Sequence, residues 1–444
     1  MNWEQLLNAT RLGKEGTKVT DIEALRSEFQ RDYDRIIFSS PFRRLQNKTQ
    51  IFPLPGSVFV HNRLTHSLEV ASVGRSLGNT VAQYLKKLYP NYIPELFSEI
   101  GTIVSSASLS HDLGNPPFGH AGEKSISAFF KNGNGLKYKE TVSENEWDDL
   151  TNFEGNANAL RLLSHKFNGR REGGFALTYA TLASLIKYPF SSANRTKKDK
   201  YGYFESEKEI FERIANEVGL TKLSDNDLIF ARHPLVYLVE AADDISYQIM
   251  DIEDAHKLKI LSTNETVDIL MTFFNKEKDA GFFVKKDEIF QQVTDTNEQI
   301  AFLRASVINL LVHKAANIFI ENQQQVLEGS FTGSLVDYLT GTYKNAMESC
   351  ADIAYKKVYL HRSVVEVEIT GYNVLNTLMD EFTKAIFDPK AEYSKKLLAL
   401  LPLQYQGDYS TDYEKLRAII DFISGMTDLY ALDLYKLIKG IGIQ

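Results

Sequence analysis

An all-α fold is what this sequence predicts, and three observations predict it. No proline occurs between Pro234 and Pro389, and an interior proline costs a helix about 3 kcal/mol, so this stretch is free to form long helices. The apolar residues within it recur at helical spacing. Val307, Leu310, Leu311 and Ile318 share one face, and Val374, Leu375, Leu378, Met379, Phe382 and Ile386 repeat the pattern. Nowhere do strands alternate with helices in the way that signals a parallel sheet. One short strand fits the alternation of apolar and charged residues from Val364 to Ile369.

The breaks fall in polar segments. Lys131 to Asp149 is rich in Asn, Gly, Lys and Glu, and Ser191 to Tyr203 in Ser, Asn and Lys. Both read as loops. Asp388 to Tyr393, carrying Pro389, reads as a helix–helix connection. The 444 residues suffice for two to three domain-sized units, with no internal repeat and no low-complexity tract.

Composition narrows the function. The net charge of −8 argues against a protein whose whole surface grips nucleic acid. A local basic pocket for a small polyanion remains compatible with it. The single cysteine, Cys350, excludes an internal disulfide framework and a cysteine-based zinc site. The N-terminus lacks the basic and apolar regions of a signal peptide, and no apolar run reaches the roughly 18 residues of a membrane span. The expectation is a soluble cytoplasmic protein without a membrane partner.

Four of the nine histidines fall between His61 and His120. His111 and Asp112 are adjacent, and Gly114, Pro116 and Pro117 follow at once. Such a break places an imidazole and a carboxylate at a helix end, where both can converge on one ion. His66 lies upstream among Leu64, Leu68, Val70 and Ala71. A histidine on an apolar helix face is more often a core residue than a ligand, but the His-Asp pair shifts that balance. Downstream, Asp243, Tyr247 and Asp251 are spaced i, i+4, i+8 on one helix. Asp243 and Asp244 are costly in an apolar helix unless paired or coordinated. Two imidazoles and two carboxylates suit Mg²⁺ or a divalent transition metal and leave room for water or substrate oxygens.

Several segments then occur in order. They are Phe42 to Pro53, Arg63 to Val70, His111 to Glu123, Phe153-Glu-Gly-Asn-Ala-Asn158, Leu185 to Pro189, His233 to Ile245 and Ile423 to Ala431. In these the chain resembles the bacterial deoxyguanosinetriphosphate triphosphohydrolases of the HD superfamily. The resemblance implies a helical HD-type metallophosphohydrolase fold with a helical C-terminal extension. Residues 1–60 would form an N-terminal helical segment with a base-contacting loop, 61–260 the HD core, and 261–444 a region completing the pocket and the oligomer contacts.

The resemblance also implies a reaction. Water attacks the α-phosphorus of a dNTP, with dGTP favoured, and releases deoxynucleoside and triphosphate. One divalent ion per subunit, Mg²⁺ or Mn²⁺ or another transition metal, falls to His66, His111, Asp112 and Asp243. Asp243 is preferred to Asp244 because the family places a sugar-contacting tyrosine four residues after its ligand, as Tyr247 stands here. Asp251 takes the acidic position at the sugar 3′-hydroxyl. His120 matches the catalytic histidine and Glu123 its acidic partner, and general-acid assistance of this kind is worth roughly 10²–10⁴-fold. Lys187 and Tyr188 match phosphate contacts. Lys200, with Lys208 as competitor, and Arg63 would add to them. Gln50 and Ile51 stand where the family meets guanine, and Glu366 or Glu368 at its base-contacting glutamate. Two departures stand out: no arginine occurs from Leu397 to Gln406, where the family has one, and Asn115 replaces a common histidine.

Family members assemble as homo-oligomers, often hexamers, so oligomerisation is implied as well. Two other readings compete. One is another HD enzyme, a nucleotide phosphodiesterase or (p)ppGpp hydrolase, which the Lys187-Tyr188-Pro189 segment argues against. The other is a dNTP-sensing protein that binds single-stranded DNA, with Arg170-Arg171 and Lys197-Lys198-Lys200 as its basic clusters.

Overall fold

A computed structural model describes residues 1–16, 26–52, 60–91 and 94–442. Pro53, the last residue of the first family segment, lies outside them. Among the described residues there is no strand, only isolated bridges such as Thr49 with Asn62.

The short helix α1 (Ser40–Arg44) leads through a 3₁₀ turn, Leu45–Asn47, toward Gln50. α2 (Arg63–Leu88) starts from a reciprocal cap, in which Asn62 and Thr65 satisfy each other's backbone N–H groups. It buries Val70, Val73, Leu77, Val81 and Leu85 against α3 (Ile100–Ser110), a helix whose side chains are almost all buried. Glycine lets the two approach: a Cβ on Gly78 would lie 2.9 Å from Gly101 Cα.

Beyond the His111–Gly114 turn come α4 (Gly119–Lys131), α5 (Glu144–Thr151) and α6 (Gly155–Ser164). α7 (Val236–Lys257) and α8 (Thr296–Glu321) close the bundle over α2. α8 is long and apolar enough to cross a membrane by length and composition, and one face of it packs into the core. Its Ile300, Leu303, Val307, Leu311 and Phe319 are buried, each such side chain stabilising the bundle by about 1.5–3 kcal/mol. The core around these helices runs from Trp3 to Val364 and so draws on all three segments of the chain.

α9 (Arg362–Phe387), α10 (Asp412–Ser424) and α11 (Asp428–Ile438) form a second core with α4, centred on Ile126, Phe129, Leu378, Phe382 and Ile423. Two local expectations are corrected here. Val364–Ile369 is helical, inside the 26-residue α9. Its alternation also satisfies a helix, with Val364 buried and Val367 and Glu368 facing a cavity. Lys131–Asp149 is not a plain loop, because it holds a 3₁₀ helix, Asn134–Thr141, and the start of α5. α5 is capped reciprocally by Ser143 and Glu146.

Candidate metal centre and active site

Three helices bring four donor residues together. His66 projects from the first turn of α2, His111 and Asp112 follow the last turn of α3, and Asp243 comes from the middle of α7. His66 Nε2 lies 3.1 Å and His111 Nε2 3.5 Å from Asp243 Oδ1, and His111 Nε2 lies 3.7 Å from Asp112 Oδ1. Donor atoms of His66, His111 and Asp112 all fall within 4.8 Å of one another.

The tautomer of His111 suits coordination. Its Nδ1–H donates to the Ser108 carbonyl at 2.6 Å, which turns Nε2 toward the cluster. Burial opposes ionisation of Asp112, but Arg63 and the two imidazoles outweigh it and hold the carboxyl well below the usual range. Asp243 is likewise lowered, burial being outweighed by His111 and His66. Two ionised carboxylates and two imidazole nitrogens, with no thiolate, fit a divalent cation.

A second layer fixes these donors. Arg63, buried, donates from Nη1 to Asp112 Oδ2 at 2.8 Å, and the Asn115 amide donates to Asp112 Oδ1. A Cβ on Gly114 would meet the Gly155 carbonyl at 2.0 Å, and one on Gly155 would lie 2.3 Å from Asn115 Oδ1. The glycines of the two signature segments therefore let the segments close on each other.

A cavity opens on the donors, and a second adjoins it. One of about 350 Å³ lies over the four donor residues and is lined by Asn115, Lys187, Tyr188 and Asp244. The other, of about 640 Å³, is lined by Ile51, Tyr359 and Glu368. Gln50, Arg63, His120, Glu123, Glu154, Lys200 and Tyr247 line both. At this neck the His120 side chain is 74% exposed while Glu123 beneath it is buried. His120 Nδ1–H donates to Glu123 Oε2 at 2.7 Å, and Glu123 Oε1 accepts the Gly155 N–H at 2.8 Å. Burial opposes ionisation of Glu123, but His120, Lys200 and the Gly155 N–H hold the carboxyl below its ordinary value.

The cations are paired. Lys200 Nζ sits 2.7 Å from Glu154 Oε2, and Lys187 Nζ 3.0 Å from Glu240 Oε1. Lys208 pairs instead with Glu205, and it lines neither cavity. Tyr247 stands between the His66 and Tyr359 rings, at centroid distances of 6.2 and 6.3 Å. Asp251 is buried behind it and accepts the Tyr359 hydroxyl at 2.7 Å. Gln50 Oε1 is buried without a hydrogen-bond partner among the described residues. Of the two glutamates considered for the base, Glu368 lines the wider cavity, while Glu366 is exposed and paired with Arg362. Sequence reasoning missed Glu154, Glu240 and Tyr359. Glu154 lay inside a segment already singled out, but no local pattern links Tyr359 to Asp251 across 108 residues.

Comparison with known proteins shows the family. Residues 339–437 match the model of the phosphohydrolase-associated domain. A Pseudomonas aeruginosa protein named deoxyguanosinetriphosphate triphosphohydrolase-like is 36% identical over 99% of both chains. A Synechocystis protein of the same name is 37% identical over the full length of both. The deoxyguanosinetriphosphate triphosphohydrolase of Yersinia pestis is 30% identical over 92% of this chain and 93% of its own. With this coverage and with the HD-type helical core, the chain is a hydrolase and belongs to the deoxyguanosinetriphosphate triphosphohydrolase family.

Proposed function

We propose that the protein hydrolyses deoxynucleoside triphosphates, dGTP foremost, to deoxynucleoside and inorganic triphosphate. One divalent cation per subunit, Mg²⁺ or Mn²⁺, would be held by His66, His111, Asp112 and Asp243. The observation that carries this reading is the position of the His120–Glu123 pair, at the neck between the cavity over those donors and the wider cavity beyond.

When bound, the cation supplies positive charge against the negative charge that develops on the phosphoryl oxygens. Lys187, Lys200 and Tyr188 bind the phosphate chain, the two lysines exchanging Glu240 and Glu154 for phosphate oxygens. Arg63 and Asn115 orient Asp112. Water adds to the α-phosphorus as the bond to the 5′ oxygen breaks, and His120 delivers a proton from Nε2 to that leaving oxygen. Glu123 holds the opposite ring nitrogen and orients the ring. Tyr247, with Asp251 buried behind it, meets the sugar, and Gln50, Ile51 and Glu368 face the base.

Incubation with dGTP and Mn²⁺, read by ³¹P NMR, should show triphosphate. Pyrophosphate or orthophosphate as the first product would refute attack at the α-phosphorus. His120→Ala should lower turnover by about 10²–10⁴-fold with metal content unchanged, and loss of metal would make His120 a ligand instead. The resemblance also supports a homo-oligomer, a hexamer in the fullest form, which sedimentation velocity tests.

A further inference from the structure

A third cavity, of about 120 Å³, lies behind α1 and shares no lining residue with the two substrate cavities. Its walls include Arg44, His165, Phe167, Arg170, Gln404 and Tyr405, and no carboxylate lines it. We infer that this cavity is an oxyanion site that takes one phosphate-type group between Arg44 and Arg170.

The unmet charge is the first argument. Arg44 is half-buried, yet its guanidinium has no hydrogen bond or ion pair among the described residues. A guanidinium does not deprotonate in proteins, and a desolvated charge ordinarily has a counter-charge. Burial works against the Arg44 charge, the Tyr405 oxygen partly offsets it, and the charge of Arg170 opposes it again. Arg161, in the same part of the fold, shows what a satisfied arginine looks like. It is 5% exposed and sits 2.7 Å from Asp421 and 2.5 Å from Glu207. Arg44 has the desolvation without the carboxylates.

The remaining polar groups point the same way. Tyr405 is 4% exposed, and its buried hydroxyl, beside the Gln404 side chain, makes no hydrogen bond of normal geometry among the described residues. The Arg170 Nη2 is held by Gln404 Oε1 at 3.1 Å, which fixes the guanidinium at the cavity rim. The space equals about four times the roughly 30 Å³ that a water occupies in the liquid. That admits one tetrahedral oxyanion, and the cavity shares His165, Phe167, Gln404 and Tyr405 with a neighbouring cavity of about 620 Å³.

The position gives the site a consequence. Arg44 is the last residue of α1, directly before the Leu45–Asn47 turn. Lys48 follows, with Nζ donating to the Asn115 carbonyl at 2.5 Å and the Ser424 carbonyl at 2.9 Å. Gln50 lies two residues on, in the substrate cavities. An anion that draws Arg44 into the third cavity pulls on the segment that carries Gln50, so occupancy should change KM for substrate more than kcat.

The test is calorimetric titration of the metal-loaded protein with orthophosphate, in wild type, Arg44→Gln and Lys200→Gln. The inference expects a dissociation constant of about 1 mM or tighter. It expects that affinity to persist in Lys200→Gln and to weaken at least about tenfold in Arg44→Gln. Absence of binding overturns it, as does binding lost in Lys200→Gln and kept in Arg44→Gln, which would locate the ion in the substrate cavity. If Arg44→Gln does not fold, Arg170→Gln at the exposed rim decides, and unchanged affinity there overturns the inference. Methyl phosphate separates the sources: affinity equal to orthophosphate assigns the site to a phosphoryl group on a larger molecule, and affinity for orthophosphate alone assigns it to the free ion.

Discussion

Asp428 Oδ1 accepts the Phe118 N–H at 3.0 Å, and Phe118 is a left-handed residue with φ of 61°. Its other oxygen accepts the Thr49 N–H at 2.8 Å. One buried carboxylate at the head of α11 therefore ties together the segment leading to Gln50 and the turn that launches α4 with His120. Left-handed backbone costs a non-glycine residue about 1–2 kcal/mol, so the Phe118 turn needs such an external hold. The Ile423–Ala431 segment acquires a physical role from this contact, which lies 310 residues away in sequence.

Asp428→Asn keeps the size of the side chain and offers only one acceptor for two N–H groups. We expect kcat to fall about tenfold, the worth of one hydrogen bond to a charged group, with metal content unchanged. Steady-state kinetics beside elemental analysis of the metal checks this. A rate loss that merely tracks the fraction of unfolded protein would reduce Asp428 to a structural residue.

The metal centre predicts a linkage between ion and stability. Asp112 and Asp243 are both held ionised beside the two imidazoles, and a cation that binds only the folded state stabilises it. At a hundredfold excess over its dissociation constant the gain is about 2.7 kcal/mol. Thermal unfolding should therefore shift upward with Mn²⁺ and return on chelation. Asp243→Asn should lose most of the shift, whereas Asp244→Asn should keep it. The reverse ranking would transfer the ligand role to Asp244.

The part of this architecture that was legible in the sequence is local. The proline-free stretch contains the two 26-residue helices α8 and α9, because nothing in it interrupts the backbone ladder. The Gly114, Pro116, Pro117 break does end α3 just before His111, so the His-Asp pair stands at a helix end as its neighbours dictate. Val364–Ile369 failed as a strand because six residues are too few to separate a period of 2 from one of 3.6. The start of α5 carries a Ser143-x-x-Glu146 capping box inside a polar stretch, and polarity masked that signal. Pairings such as Tyr359 with Asp251, or Asp428 with Phe118, depend on how the turn before α9 packs on α7 and how α11 packs on the head of α4, which no short window of sequence contains.

A histidine outside the donor set makes stability fall as pH rises. His61 lies just before α2, with Nδ1 2.8 Å from Asp254 and Nε2 3.0 Å from Glu69. Burial opposes its charge, but the two carboxylates outweigh burial and raise it to about 10. In the unfolded chain the same group titrates near 6.5. Between those values the folded state binds the extra proton, so the contribution is complete below about pH 6.5 and is lost as pH rises through about 10. Its size is on the order of 5 kcal/mol. Lys48, lowered to about 7 by burial, acts in the opposite sense, so the comparison must be made between variants rather than across the wild-type curve. The destabilisation caused by His61→Gln, from denaturant midpoints, should be large near pH 6 and shrink toward pH 10. A destabilisation that stays constant or grows over that range would mean that His61 is neutral in the folded protein and that its hydrogen bonds, not its charge, anchor the start of α2.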